Sequence, residues 1–250
     1  MISCRDLTRR FGDFTAVDGL TLDVPSASIC AFLGANGAGK STTVKMLTGL
    51  LQPTSGAATV CGLDVSQHAA ALKNKIGVLP EGLGLFDDLT VEEHLDLTAE
   101  VYGVPKDEAG GRIEQLLRAL GLDPGRRTFA RECSHGMRKK TSLAMALLPN
   151  PEVLFLDEPF EAIDPVTSKV MHEILVKAAQ RGITVFLTSH ILSTVERIAD
   201  QFVIIRNGRA VLNAFAEDLP RSIEELYFEL AEPPVAEDLV WLGHVRPGRA

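Results

Sequence analysis

Cysteine is scarce and solitary in this chain, which removes two kinds of site at the outset. Cys4, Cys30, Cys61 and Cys133 stand singly, with none of the close pairs from which zinc or dithiol redox centres are built. They read as reduced, structural thiols. Long apolar runs are missing too. Nothing approaches the ~18 residues of a spanning helix, and the start, Met1-Ile2-Ser3-Cys4-Arg5-Asp6, lacks the apolar core of a signal peptide. The chain is expected to stay in the cytosol. Positive charge is outweighed: 25 Lys and Arg against 33 Asp and Glu give a formal net charge of -8. The dense basic stretch from Arg138 to Lys140 is too short to hold a phosphate backbone against that field, so nucleic acid is not an expected partner. Repeats, heptad runs and low-complexity tracts are also absent.

What is present is the balance of a globular protein, 46% hydrophobic and 23% charged over 250 residues. Apolar residues alternate with turn signals through Ile2, Cys4 and Leu7, then Ala16 and Val17, then Leu20, Leu22 and Val24, which predicts a small antiparallel β layer. Ser28 to Leu33 is a continuous apolar run of the kind buried on both faces. Val153 to Leu156 and Ile183 to Leu187 are two more, with amphipathic helical spacing between and after them. Strands separated by helices predict a parallel sheet with crossovers. The helix between them has Asp164 as cap, Pro165 in its first turn and Gly182 as stop, with Val166, Val170, Ile174, Leu175 and Ala178 on one face.

Phe202 to Ile205 reads as a strand, and Asn207-Gly208 supplies a hairpin turn before Val211 and Leu212. From Leu89 to Leu148 the pattern is helical throughout, opened by Thr90 and Glu93 in capping-box spacing and broken at Gly103-Val104-Pro105, Gly110-Gly111 and Gly121. This predicts an inserted helical lobe. Ser222 to Leu230, with Ile223, Leu226 and Phe228, reads as a terminal helix, and the stretch from Pro233 to Ala250 as loosely held. The expected organisation is a main domain over 1–217, with a helical subdomain at about 89–148, and an extension over 218–250.

The chemistry concentrates in a few places. Gly34-Ala35-Asn36-Gly37-Ala38-Gly39-Lys40-Ser41 satisfies the phosphate-loop pattern and lies between a predicted strand and a predicted helix. Its glycines let backbone amides approach phosphates, Lys40 reaches the outer phosphates, and the Ser41 hydroxyl can ligate magnesium. Asn36, Gly37, Ala38, Gly39, Lys40, Ser41 and Thr42 are the expected phosphate-loop contacts of the ligand. Farther on, Val153-Leu154-Phe155-Leu156 delivers Asp157-Glu158 at a strand end, where ligands gather in a parallel sheet. Asp157 is suited to hold magnesium, directly or through water, and Glu158 to polarise the attacking water as general base.

Between these motifs stands Ser134-His135-Gly136-Met137, just ahead of a helical pattern. With it the sequence resembles the ABC ATPase family from about Thr8 to Leu212. The family signature is usually Leu-Ser-Gly-Gly-Gln. Cys133, His135 and Met137 depart from it, while Ser134 and Gly136 keep the hydroxyl and the close-approach backbone. The resemblance implies an α/β phosphate-loop NTPase fold: a mostly parallel core sheet, an N-terminal antiparallel β subdomain and an inserted helical subdomain. It implies that Asp164 belongs to the loop after the catalytic glutamate, that His190 contacts the terminal phosphate, and that Phe11 stacks on adenine. A core role is the alternative for Phe11. Glu81 falls where many members carry a magnesium-ligating glutamine, so a carboxylate replaces an amide there.

The resemblance further implies ATP and Mg²⁺ as cofactors and head-to-tail pairing with a second ATPase subunit, identical or different. In that pairing Ser134 and Gly136 complete the partner's ATP site. Integral membrane transporter subunits would be the other partners, placing the chain peripherally on the cytoplasmic face of the cell membrane. Pro80-Glu81 and the Ser-x-Gly-Met segment are similar to those of ABC-2-type and multidrug exporters, which leans the expectation toward export. Two alternatives stay open at this stage: a soluble ABC-type ATPase outside transport, and a regulatory module that binds ATP without hydrolysing it.

Overall fold

The structure, a computed structural model, describes residues 1–231; the expected loose tail from Pro233 lies outside the described residues. The N-terminal strands β1 (Ile2–Phe11) and β2 (Phe14–Val24) form the expected antiparallel pair. Next come β3 (Ile29–Leu33), α1 (Lys40–Leu47), β4 (Ser55–Val60), β5 (Leu63–Asp64), α2 (Ala69–Lys73) and β6 (Ile76–Leu79). The helical lobe holds α3 (Val91–Val101), α4 (Lys106–Ala119) and α5 (His135–Leu147). Then follow β7 (Val153–Leu156), α6 (Pro165–Gln180), β8 (Thr184–Ser189), α7 (Leu192–Val195), β9 (Gln201–Arg206), β10 (Arg209–Phe215) and α8 (Ile223–Ala231).

Two sheets result. The smaller is antiparallel in the order β2-β1-β4-β5, and the larger runs β10-β9-β3-β8-β7-β6. In the larger sheet every pairing is parallel except that of β10 with β9, the hairpin at Asn207-Gly208. Strand β3 separates two hydrophobic cores. Ile29, Ala31 and Leu33 face the core shared with the helical lobe, while Cys30 and Phe32 face the core shared with the antiparallel sheet. Strands β7 and β8 divide the same way: Leu154, Leu156, Val185 and Leu187 on one side, Val153, Phe155 and Phe186 on the other. Phe186 lies between Phe32 and Phe155, with ring centroids 5.2 and 5.7 Å away. Each such fully buried phenylalanine is worth about 1.5–3 kcal/mol of transfer free energy, enough to lock the order of these three strands.

Several expectations need correction. The lobe is not helical throughout: residues 120–134 run through two 3₁₀ turns, Asp123–Gly125 and Ala130–Glu132, before α5 begins. Gly110 and Gly111 do not break the chain; they lie inside α4 facing open space, where the missing side chains cost propensity but no contact. On α6 the buried stripe is Thr167, Met171, Leu175, Ala178 and Ala179, with Val170 and Ile174 packed at its margin. Val166 is 73% exposed because it lies one residue, or about 100° of helical turn, away from that stripe. The terminal helix docks through Ile223 and Leu226, but Phe228 faces outward. Strands β4, β5 and β6 carry no clear alternation and were not expected from the pattern. The caps hold as read: Thr90 and Glu93 form a capping box on α3, and Asp164 accepts from Val166 N and Thr167 N on α6. The four cysteines are free thiols.

Candidate active site

Parallel register decides where the chemistry gathers. Leu33 pairs with Ser189, Leu156 with Leu187 and Leu79 with Leu156. The segments that follow β3, β6, β7 and β8 therefore leave the same edge of the sheet side by side. They are the phosphate loop, Pro80-Glu81, Asp157-Glu158 and His190.

The loop after β3 is shaped by sterics. Gly39 has φ +109°, and a Cβ there would lie 2.4 Å from the Ala16 carbonyl oxygen; at Gly34 it would lie 2.6 Å from that of Ile205. Only glycine fits either place. Gly39 is also the N-cap of α1 and offers no side-chain cap, so the first-turn amides stay available to an anion at the positive end of the helix. Lys40 is 6% exposed and donates to Gly34 O at 2.7 Å.

Glu158 is the centre of the arrangement. Its φ of +48° lies in the left-handed region, a conformation costing a non-glycine residue of order 1–3 kcal/mol unless its surroundings impose it. Those surroundings are dense. Its amide donates to Thr188 Oγ1 at 2.9 Å, and the same hydroxyl donates to Asp157 Oδ1 at 2.6 Å. Its carbonyl accepts from Lys139 Nζ and, at 3.3 Å, from Glu161 N. Its Oε2 accepts from His190 Nδ1 at 3.0 Å, so that ring nitrogen carries hydrogen. Lys40 Nζ lies 3.1 Å from Oε1, but the hydrogen bonds of Lys40 aim at the loop carbonyls and Oε1 has no aligned donor. The contact is one of charge. A phosphate able to compete for Lys40 would leave this carboxylate free to take a proton.

A cleft of about 480 Å³ opens here, lined by Phe14, Ala16, Asn36, Gly37, Gly39, Lys40, Ser41, Thr42, Glu81, Glu158, Glu161 and His190. It brings together most of the residues expected from the sequence. Ala38 is buried in the loop beneath. Asp157 is 4% exposed and stands behind Glu158 rather than in the lining. Phe11 is not in the lining either; its ring stacks under the Arg9 guanidinium at 4.5 Å, and its hairpin neighbour Phe14, 62% exposed, faces the cleft.

Ser134, Gly136 and Asp164 lie outside the cleft lining, with Gly136 packed beside Asp164. Ser134 caps α5 by accepting from Met137 N at 3.2 Å, and a Cβ on Gly136 would meet Thr167 and Asp164 within 3.2–3.6 Å. The Thr167 hydroxyl and the helix amides hold the Asp164 carboxyl below the usual aspartate range. Sequence reasoning missed Thr188, Lys139, Glu161 and Phe14. A threonine within the apolar run Val185 to Leu187-Thr188 was the available signal for the first.

A loop shaped to cradle phosphates, with a carboxylate fixed beside its lysine, provides the working parts of a phosphate-loop nucleoside triphosphatase, and that is the class this fold and site define. The family described as ABC transporter matches residues 17–161, more than half of the chain. An uncharacterised ABC transporter ATP-binding protein of Bacillus subtilis, YhaQ, is 35% identical over 222 residues, covering 89% of this chain and 74% of its own length. The bacitracin transport ATP-binding protein BcrA of Bacillus licheniformis is 35% identical over 239 residues, covering 93% and 76%. A solved structure of an ATP-binding subunit of an ABC transporter superposes with TM-score 0.86 at 32% identity, covering 92% of this chain and 99% of that one. A dimeric ATP-binding cassette holding ADP and phosphate shares the fold, with TM-score 0.80 at 20% identity over 88% of this chain and all of its own. The chain belongs to the ABC transporter ATP-binding family. It is an ATP-binding cassette of that family, and among the described residues no helix is long and apolar enough to cross a membrane.

Proposed function

We propose that this cassette drives an exporter: two copies, or this chain and a different ATPase subunit, close around ATP and pull on integral membrane subunits at the cytoplasmic face of the membrane. The observation that carries the reading is Glu158, a carboxylate fixed between Lys40 and His190 at the mouth of the phosphate loop. In the proposed reaction a water oxygen attacks the terminal phosphorus, its proton passes to Glu158, and the bond to the bridging oxygen breaks to release ADP. Lys40 and the loop amides bind the outer phosphates, and His190 holds the carboxylate and the terminal phosphate in register.

A magnesium ion suits this donor set. Ser41, Asp157 and Glu81 offer only oxygen, the donor that Mg²⁺ takes from a protein when phosphates and water supply the rest of its shell. The ion would neutralise charge developing on the phosphate oxygens, with Glu81 in the place of the usual glutamine. Phe11 or its neighbour Phe14 would stack on adenine. Ser134 and Gly136 would complete the ATP site of the partner cassette, with Asp164 beside them.

The proposed unit spans 1–217, with its helical lobe at 89–148 as the docking surface for the membrane subunits and 218–250 as a separate extension. Export is supported by the names of relatives, among them the bacitracin protein, a probable multidrug protein of Escherichia coli and Nod factor export proteins of Burkholderia. Pro80-Glu81 and Ser-His-Gly-Met support it as well. The test is magnesium-dependent ATP turnover by the purified chain beside Glu158→Gln, with sedimentation in ATP. Turnover by the wild type and an ATP-held, stalled dimer in the variant are expected. If neither protein turns over or dimerises, even with candidate membrane subunits present, a non-hydrolysing regulatory role replaces the motor.

A further inference from the structure

Lys139 lies in α5, five residues after Ser134, and is 3% exposed. Lysine is among the residues least often fully buried. The hydrogen bond this ammonium makes goes to a peptide oxygen, that of Glu158. The carboxylates of Glu161, Glu158, Asp157 and Glu81 act on it through their field, opposing the burial that lowers its proton affinity. Its acceptor belongs to the residue with the left-handed backbone, whose amide is held from the other side by Thr188. The Glu158 peptide units are thus gripped at both ends, from α5 and from β8. Turning either unit would swing the carboxylate away from Lys40 and His190.

We infer that Lys139 is a positioning residue for hydrolysis: by clamping the Glu158 carbonyl it fixes the direction of the catalytic carboxylate and ties it to the helix that begins at Ser134. This rests on the reading of Glu158 as the base. A displacement of α5 carries Lys139 with it, and with Lys139 the Glu158 peptide. One helix then serves two ATP sites in a dimer, the partner's through Ser134 and its own through Lys139.

The experiment compares Lys139→Met, Lys139→Gln and Lys139→Arg with the wild type and Glu158→Gln in the full chain, measuring kcat, KM for ATP, ATP affinity and ATP-driven dimerisation. Lys139→Met is expected to lower kcat by about tenfold to a hundredfold, the cost of a misplaced catalytic group. Its ATP affinity should stay within about twofold, because no contact to phosphate is removed. Lys139→Arg restores most of kcat, since it keeps a buried donor and charge. Lys139→Gln, a shorter neutral donor, carries the comparison where the methionine variant fails to fold, and its kcat is expected between the two. Unchanged kcat in Met and Gln variants, or equal losses of kcat and ATP affinity in both, would overturn the proposal. Undiminished turnover by Glu158→Gln would instead overturn the assignment of the base, whatever the Lys139 variants do.

Discussion

Replacing Thr188 by valine keeps the volume of a fully buried side chain and removes one hydroxyl, so it isolates the polar role of that atom. Two bonds are lost. One is the charge-assisted donation to Asp157 Oδ1 at 2.6 Å, and the other the acceptance from Glu158 N at 2.9 Å. A hydrogen bond to a charged group is worth about 1.5–3 kcal/mol, and a buried amide left without an acceptor costs about 1–3 kcal/mol. No cavity term adds to these, and partial relaxation subtracts, so a loss of about 3 kcal/mol is expected. At about 2–4 °C per kcal/mol for a chain of this size, the midpoint of thermal unfolding should fall by about 6–12 °C. Function should suffer more than stability, because the freed amide belongs to the residue at φ +48°. Once that peptide can relax, Glu158 no longer points at Lys40 and His190, and kcat should drop about tenfold or more. Circular dichroism melts and steady-state phosphate release on the same preparation read both quantities. A midpoint within about 2 °C of wild type, with kcat within about twofold, would refute the claim that this hydroxyl organises the acid pair.

Gly39→Ala forces a Cβ to within 2.4 Å of the Ala16 carbonyl at a φ of +109°; strain of this kind, ~1–3 kcal/mol or more, should weaken ATP binding by about tenfold or more, read by fluorescent nucleotide titration. Asp164→Ala removes a carboxylate whose folded pKa is depressed, chiefly by the Thr167 hydroxyl. The stability it contributes is full above the ordinary aspartate range near ~3.9 and is lost as pH falls through the lower folded value. The melting difference between variant and wild type should therefore be present at neutral pH and close in strong acid. Burial pushes the Cys4 thiol up to about 12 and the Cys61 thiol to about 11, so at pH 8 well under about one per cent of either is thiolate. Labelling of Cys4 and Cys61 by a thiol-reactive reagent, followed by peptide mapping so that the half-exposed Cys133 is read separately, should be slow until denaturant is added; rapid reaction at Cys4 in the native chain would contradict its burial.

Much of the architecture is legible in the sequence. The two-face burial of Ser28 to Leu33 and Val153 to Leu156, the Asn207-Gly208 hairpin and the caps at Thr90 and Asp164 all depend on residues close together in the chain. Such signals survive in a linear reading because the physical cause is local: a glycine's allowed angles, a carboxylate's reach to the next turn's amides, an unbroken apolar run. Where burial is shared among distant elements, the linear pattern carries no such signal. Strand β6 shows no alternation because both its faces are covered, and the stripe on α6 was placed one residue off, since the sheet beneath it decides which side is inside.

For the site, the sequence alone determined the parts that are contiguous. Gly34 to Ser41 is a phosphate cradle by composition and spacing, and Asp157-Glu158 an acid pair by its place at a strand end. What the tertiary structure decided is how those parts meet. The order β9-β3-β8-β7-β6 sets His190, Lys40 and Glu158 at one edge, and it lends Glu158 two partners, Thr188 and Lys139, that no motif marks. The physical reason is that a left-handed glutamate persists only when hydrogen bonds from several elements hold it together, and those elements become neighbours only through long-range strand pairing and the burial of both sheet faces.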